Sequence, residues 1–151
     1  MDQPTSSTPA SVPAIAPSTS AGPFEVLSGR VLVVEDDVLN QHLIRRMLEK
    51  HGLQSTMVDN GEAAVEAAVR ETWGVVLMDC QLPGIDGFAA TRAIRARLNG
   101  RPLPIVALTA SIEPEDRAAC AAAGMDDFLA KPVRRAELQA CLKKWLSTPR
   151  A

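Results

Sequence analysis

From Arg30 onward the chain alternates short apolar runs with segments whose apolar residues recur every three or four positions. The runs at 31–34, 75–78 and 104–108 are too brief for helices and suit buried strands. Residues 54–58 and 126–130 form weaker, more polar strands. Between them, Leu39, Leu43, Ile44, Met47 and Leu48 share helical spacing, and Gly52 is placed to close that helix. Asn60 is expected to cap a helix over 62–70, with Ala64, Val65, Ala68 and Val69 inward. Asp86 is expected to cap another, running to about Leu98 and burying Ala90, Ile94 and Leu98. Pro114 and Gly124 bracket an alanine-rich fourth helix. A fifth runs over 134–146, with Leu138, Cys141, Leu142 and Trp145 inward.

Five strands alternating with five helices read as repeated βαβ units, hence α/β class and a doubly wound parallel sheet covered on both faces. Right-handed crossovers leave few topologies. The order 2-1-3-4-5 is the expectation, and it rests on precedent for doubly wound sheets rather than on spacing.

Residues 1–28 differ in kind. They are rich in Ser, Thr, Pro and Ala and lack periodicity, so they are expected to form a disordered tail or linker. The folded domain is expected over 29–147, with a short tail at 148–151.

Composition changes this picture little. Hydrophobic residues make up 46% of 151, enough for one core, while aromatics at 3% make that core aliphatic. A net charge of -2 gives no electrostatic case for nucleic acid. Arg92, Arg95, Arg97 and Arg101 cluster, but read as the solvated face of a helix and its exit. Cys80, Cys120 and Cys141 match no metal spacing and sit in apolar contexts, so reduced thiols and a cytoplasmic location are expected. No run reaches the ~18 apolar residues of a membrane span. The N-terminus lacks the charged region of a signal peptide, its first basic residue being Arg30.

The candidate chemistry lies at the strand ends. The first strand ends in Glu35-Asp36-Asp37, the third in Asp79, the fourth in Thr109 and the fifth in Lys131. In a parallel sheet of the expected order these ends lie side by side on one edge. Acid pair, aspartate, hydroxyl and lysine would meet in one cleft, which suits a phosphoryl group held with a divalent cation. Mg²⁺ (or Mn²⁺) takes oxygen ligands, so Asp36 and Asp79 can bind it directly while Glu35 holds one of its waters. Asp79 can act as a nucleophile and become an aspartyl phosphate. Lys131 would then supply charge, and Thr109 a hydrogen bond. Each piece alone has a plainer reading: acids favouring a helix dipole, a strand-end threonine, a solvated loop lysine. Their occurrence in order, on successive strands, is what points to a site.

Taken together, Val31-Leu32-Val33-Val34-Glu35-Asp36-Asp37, Leu77-Met78-Asp79-Cys80-Gln81-Leu82-Pro83-Gly84, Pro104 to Ala110 and Gly124 to Pro132 resemble the receiver domain of two-component response regulators. The resemblance covers 30–146. It implies a flavodoxin-like fold in which Asp79 accepts a phosphoryl group from a phosphohistidine on a histidine kinase or histidine phosphotransfer protein. It implies further that Glu35 and Asp36 are the acid pair and that the backbone carbonyl of Gln81 completes the metal site. Thr109 and Phe128 would be the switch, reshaping the face of the fourth helix, fifth strand and fifth helix toward an unidentified downstream protein. Phe128 stands where many relatives have Tyr. Gln81 and Ser111 occupy the positions that tune phosphate lifetime, and Lys131-Pro132 resembles a loop whose peptide bond is cis.

Asn40-Gln41 and Leu77 to Gln81 are similar to receivers of hybrid sensor histidine kinases, although Asp37 stands where those usually carry Asn. A single-domain receiver would look the same. In either case no output domain is expected in this chain. Two rival readings remain: a Mg²⁺-dependent aspartyl-phosphate phosphatase, which would need an acid where Gln81 stands, and a docking-only relative that would have lost a ligand.

Overall fold

The structure, a computed structural model, describes residues 29–146. The tails assigned to 1–28 and 148–151, and residue 147, lie outside the described residues. The elements are β1 (Arg30–Val34), α1 (Val38–Lys50), β2 (Gln54–Val58), α2 (Gly61–Arg70), β3 (Val75–Asp79), α3 (Gly87–Leu98), β4 (Ile105–Thr109), α4 (Pro114–Ala123), β5 (Asp127–Ala130) and α5 (Arg135–Leu146). All strand pairs are parallel, in the order β2-β1-β3-β4-β5. The expected doubly wound sheet with five helices is therefore the fold.

Alternation along each strand divides the core in two, because successive side chains point to opposite faces. Leu32, Val34, Val76, Met78, Ile105 and Ala107 pack with residues of α2, α3 and α4. Val31, Val33, Leu77, Val106 and Leu108 pack on the other face with Ile44 and Leu48 of α1 and Leu138 and Leu142 of α5. With both faces covered, β3 is buried from end to end.

Asn60 and Asp86 accept hydrogen bonds from the first turns of α2 and α3, as the sequence implies. Asp37 does the same for α1. Gly52 adopts the left-handed φ of 79° that lets the chain leave α1.

Four expectations change. Leu39 and Leu43 are 65% and 47% exposed, so the inner stripe of α1 narrows to Ile44 and Leu48, with Met47 half-buried. Leu43 instead borders an open pocket with Met47, Pro132 and Val133. Trp145 is half-buried, because its Nε1 turns to donate to Asp127 Oδ2 at 3.0 Å. The fifth strand starts at Asp127. Asp126 lies just before it, its N–H donating to Ile105 O at 2.8 Å and its carboxylate accepting from Ile105 N at 2.9 Å and from Arg95 Nη2 at 2.7 Å. Arg95 is accordingly no solvated side chain. It also donates to the carbonyls of Gly124 (2.9 Å) and Leu103 (2.8 Å), and so ties α3 to both loops flanking β4 and β5. Arg97 stays on the solvated face, its exposed side chain pairing with Glu66.

Candidate functional site

The strand register brings the candidate side chains together. Val34 pairs with Met78, so Glu35 and Asp79 follow their strands at the same level. Asp79 pairs with Leu108 and Thr109 with Ala130, which places Lys131 one step beyond Thr109. The backbone bond Lys131 N–Thr109 O (2.8 Å) extends that alignment past the end of β5. The Lys131–Pro132 peptide is cis.

The acidic triplet divides its labour. Asp37 is the N-cap of α1 and donates its own N–H to Glu35 Oε2 at 3.1 Å. Glu35 is fully buried and faces inward, while Asp36 is exposed at the mouth. Asp37 thus caps the helix, while Glu35 and Asp36 remain free of that role. One carboxylate oxygen from each of Glu35, Asp36 and Asp79 lies within 4.8 Å of the others.

Asp79 is 2% exposed. Gln81 N donates to its Oδ1 and Lys131 Nζ to its Oδ2, each at 3.0 Å. Lys131 Nζ also lies 3.3 Å from Glu35 Oε1, an oxygen with no hydrogen-bond partner among the described residues. Burial raises the pKa of Glu35 above the usual carboxylate range; the Asp37 N–H opposes this and neighbouring Asp79 adds to it. Burial works against the charge on Lys131, but Asp79 and Glu35 outweigh it and hold the ammonium above its ordinary pKa.

These groups open into a cleft of about 750 Å³. Five carboxylates line it (Glu35, Asp36, Asp37, Asp79 and Asp86) against the single ammonium of Lys131. Like charges so close repel, and an oxygen-ligated divalent cation is the partner that relieves them. The donor set is hard oxygen throughout, and Glu35 Oε1 has no hydrogen-bond partner among the described residues, only the Lys131 ammonium 3.3 Å away. These residues fit Mg²⁺. Gly87 keeps the floor tight, since a Cβ there would sit 2.9 Å from Cys80 Cα and closer still to the Asp79 carbonyl oxygen.

The switch candidates lie beside this cleft but are engaged elsewhere. Thr109 Oγ1 donates to Ser111 O at 2.9 Å and accepts from Ser111 N at 3.2 Å. Phe128 is half-buried, with the Arg117 guanidinium 5.8 Å over its ring. Gln81 is exposed at the cleft wall. Ser111 donates to Asp116 at 2.5 Å. Asp116 and Arg117 had no signal in the sequence, because neither belongs to a motif and both look like helix-surface charges.

Fold and cleft define an α/β protein with an acidic cleft and a buried aspartate at the carboxyl edge of its sheet. The chain belongs to the response regulator receiver domain family, whose model matches residues 31–143. It is 43% identical over 129 residues to the sensor histidine kinase GacS of Pseudomonas protegens, covering 82% of this chain and 14% of that protein. It is 37% identical over 125 residues to hybrid signal transduction histidine kinase L of Dictyostelium discoideum, covering 79% of this chain and 7% of that one. This chain thus spans a small fraction of its curated relatives.

Among solved structures, the receiver domain of sensor histidine kinase PA1611 from Pseudomonas aeruginosa holds a magnesium ion coordinated in its active site cleft. It shares 48% identity and a TM-score of 0.74, with 80% of this chain and 99% of that one covered. The receiver domain of Saccharomyces cerevisiae Ssk1, solved with the histidine phosphotransfer protein Ypd1, shares 31% identity and a TM-score of 0.77, over 81% and 91%.

Proposed function

We propose that this chain is a phosphoacceptor module of a two-component phosphorelay, with Asp79 receiving the phosphoryl group. The observation that carries this reading is the position of Asp79, buried yet facing the cleft, with Lys131 on one oxygen and the Gln81 N–H on the other. An Oδ of Asp79 forms the new O–P bond as the P–N bond to the donor imidazole breaks, the electron pair staying on the imidazole nitrogen. Lys131 holds the carboxylate in place and offsets charge on the transferred group. Glu35, Asp36, Asp79 and the Gln81 carbonyl would hold Mg²⁺, or Mn²⁺, which neutralises phosphoryl oxygens when bound. Thr109 and Phe128 form the switch acting on the α4-β5-α5 face, while Gln81 and Ser111 border the phosphoryl position and tune its lifetime.

The chain accepts one phosphoryl group and assists its own dephosphorylation, rather than turning over an external substrate. Its donor is a phosphohistidine on a histidine kinase or phosphotransfer protein. The exposed apolar residues Val38 (75%), Leu39 and Leu43 on α1 stand next to the cleft and offer that donor a surface. No helix among the described residues is long and apolar enough to cross a membrane. The free, buried thiols of Cys80, Cys120 and Cys141 support a reducing, cytoplasmic setting.

The test is intact-mass spectrometry after incubation with acetyl phosphate and Mg²⁺. A single phosphoryl adduct is expected, lost without metal and lost in Asp79→Asn. Labelling of Asp79→Asn at the wild-type level would overturn the assignment.

A further inference from the structure

The first turn of α4 holds both switch positions at once. Ser111 Oγ donates to Asp116 Oδ2 at 2.5 Å and accepts from Glu113 N at 3.3 Å. Residue 111 is thereby fixed, and its backbone brackets the Thr109 hydroxyl, accepting from it through the carbonyl and donating to it through the N–H. The next residue along, Arg117, lies over the Phe128 ring. The helix has few other attachments at this end. Its N-cap residue Glu113 makes no side-chain cap bond, and its buried residues are Cys120 and Ala123, in its second half.

A threonine hydroxyl has one proton to give. Here that proton goes to the Ser111 carbonyl, so Thr109 cannot donate to a phosphoryl oxygen on Asp79 until the bond is broken. Asp79, Thr109, Ser111, Asp116 and Lys131 line one cavity of about 150 Å³, so the hydroxyl has only that space to cross. The bond that keeps residue 111 in place is the charge-assisted one to Asp116, stronger than a neutral hydroxyl contact.

We propose that Asp116 is a positioning residue. Through Ser111 it keeps the Thr109 hydroxyl engaged away from the phosphoryl position, and so sets how tightly the phosphorylated state is held. The inference rests on the reading of Asp79 as phosphoacceptor. Two states compete, and the Ser111–Asp116 bond is made in only one of them. Removing it favours the other.

The experiment is an equilibrium titration of the full chain with beryllofluoride in saturating Mg²⁺. It compares wild type, Asp116→Ala, Asp116→Asn, Ser111→Ala and the Asp116→Ala/Ser111→Ala pair. Asp116→Ala and Ser111→Ala should each tighten binding about tenfold, the scale of one hydrogen bond to a charged group. The double variant should gain no more than either single one, because both remove the same bond. Asp116→Asn keeps an acceptor oxygen and should lie nearer wild type. Ser111→Ala retains the Asp116 carboxylate, so tightening there cannot come from loss of a negative charge. Affinity for Mg²⁺ alone should not change in any variant, which a general loosening of the fold would not achieve. Unchanged or weaker beryllofluoride binding in Asp116→Ala and Ser111→Ala, or additive effects in the pair, would overturn the proposal. Should Asp116→Ala fail to fold, Ser111→Ala decides. Wild type that binds Mg²⁺ but no beryllofluoride would instead remove the phosphoacceptor reading beneath the proposal.

Discussion

Lys131 Nζ bonds Asp79 Oδ2 at 3.0 Å across 52 residues of chain, and the same nitrogen reaches Glu35 Oε1 at 3.3 Å. One ammonium therefore bridges a carboxylate proposed to accept the phosphoryl group and one proposed to serve the cation. Removing it has opposite consequences for the two. In Lys131→Ala the cleft keeps all its carboxylates, so Mg²⁺ affinity should hold or rise. Capture of a phosphoryl group loses its cationic partner, and beryllofluoride binding should weaken by about tenfold or more. Calorimetric titration with Mg²⁺ alone, then with beryllofluoride, separates the two effects. Parallel losses in both would show that Lys131 organises the whole cleft rather than the phosphoryl position.

The exposed leucines of α1 supply a second prediction. Leu39→Glu and Leu43→Glu place charge on an apolar surface beside the cleft without disturbing Ile44 or Leu48, which hold α1 to the sheet. Transfer from a phosphohistidine donor should slow by about tenfold, the scale of a central apolar contact. Phosphorylation by acetyl phosphate, which needs no docking, should proceed at the wild-type rate. Equal slowing of both reactions would place the defect in the cleft.

Arg95 concerns stability. Its guanidinium spends three bonds on the Gly124 carbonyl, the Leu103 carbonyl and Asp126, and Asp126 in turn holds the first amide of β4. Arg95→Ala should cost about 1–2 kcal/mol, since it removes the donor of two part-buried carbonyls, while exposed Asp126 keeps its bond from Ile105 N. Lysine lacks the planar fork, so Arg95→Lys should recover less than half of that. Urea unfolding reads both. A loss below about 0.5 kcal/mol in Arg95→Ala would return Arg95 to the solvated face that its spacing suggests.

The thiol of Cys141 gives a pH dependence. Burial, with a contribution from Asp127, pushes its pKa up to about 12. An unfolded cysteine ionises near ~8.5. Below that value both states are protonated and the stability contribution is complete and flat. Between roughly 9 and 12 the unfolded state sheds the proton first, so stability falls as pH rises, by roughly 1.4 kcal/mol per unit for one thiol. Cys80 is pushed up to about 12 as well and declines in parallel. The decline specific to Cys141 is therefore the difference between wild type and Cys141→Ala, measured by urea unfolding from pH 8 to 11. Identical slopes in the two proteins would mean the Cys141 thiol is not buried as described.

Much of this protein is legible in its residues. Val31 to Val34 and Val75 to Met78 have to be interior strands, because no amphipathic arrangement hides four consecutive apolar side chains on one face. Asn60 and Asp86 are legible as caps, because their short side chains reach the free amides of the next turn. The strand-end positions of Glu35, Asp36, Asp79, Thr109 and Lys131 follow from counting along those strands. Local chemistry repeated at regular intervals was enough.

Other features depend on distance in space rather than along the chain. Spacing assigned Leu39 and Leu43 to the inner stripe of α1, but only the packed structure shows them exposed while Ile44 and Leu48 are buried. The assignments of Arg95 and Asp126 required knowing which loops α3 would face. Likewise, Asp37 was separated from Glu35 and Asp36 only once α1 had a direction. The bond from Asp116 through Ser111 to Thr109 arises because a helix start and a strand end converge on one cavity. Sequence by itself determined the elements, their caps and the chemistry at the sheet edge, since these are properties of neighbouring residues. Only the tertiary structure decided which polar groups are paired, because a hydrogen bond is set by where its two partners are brought together.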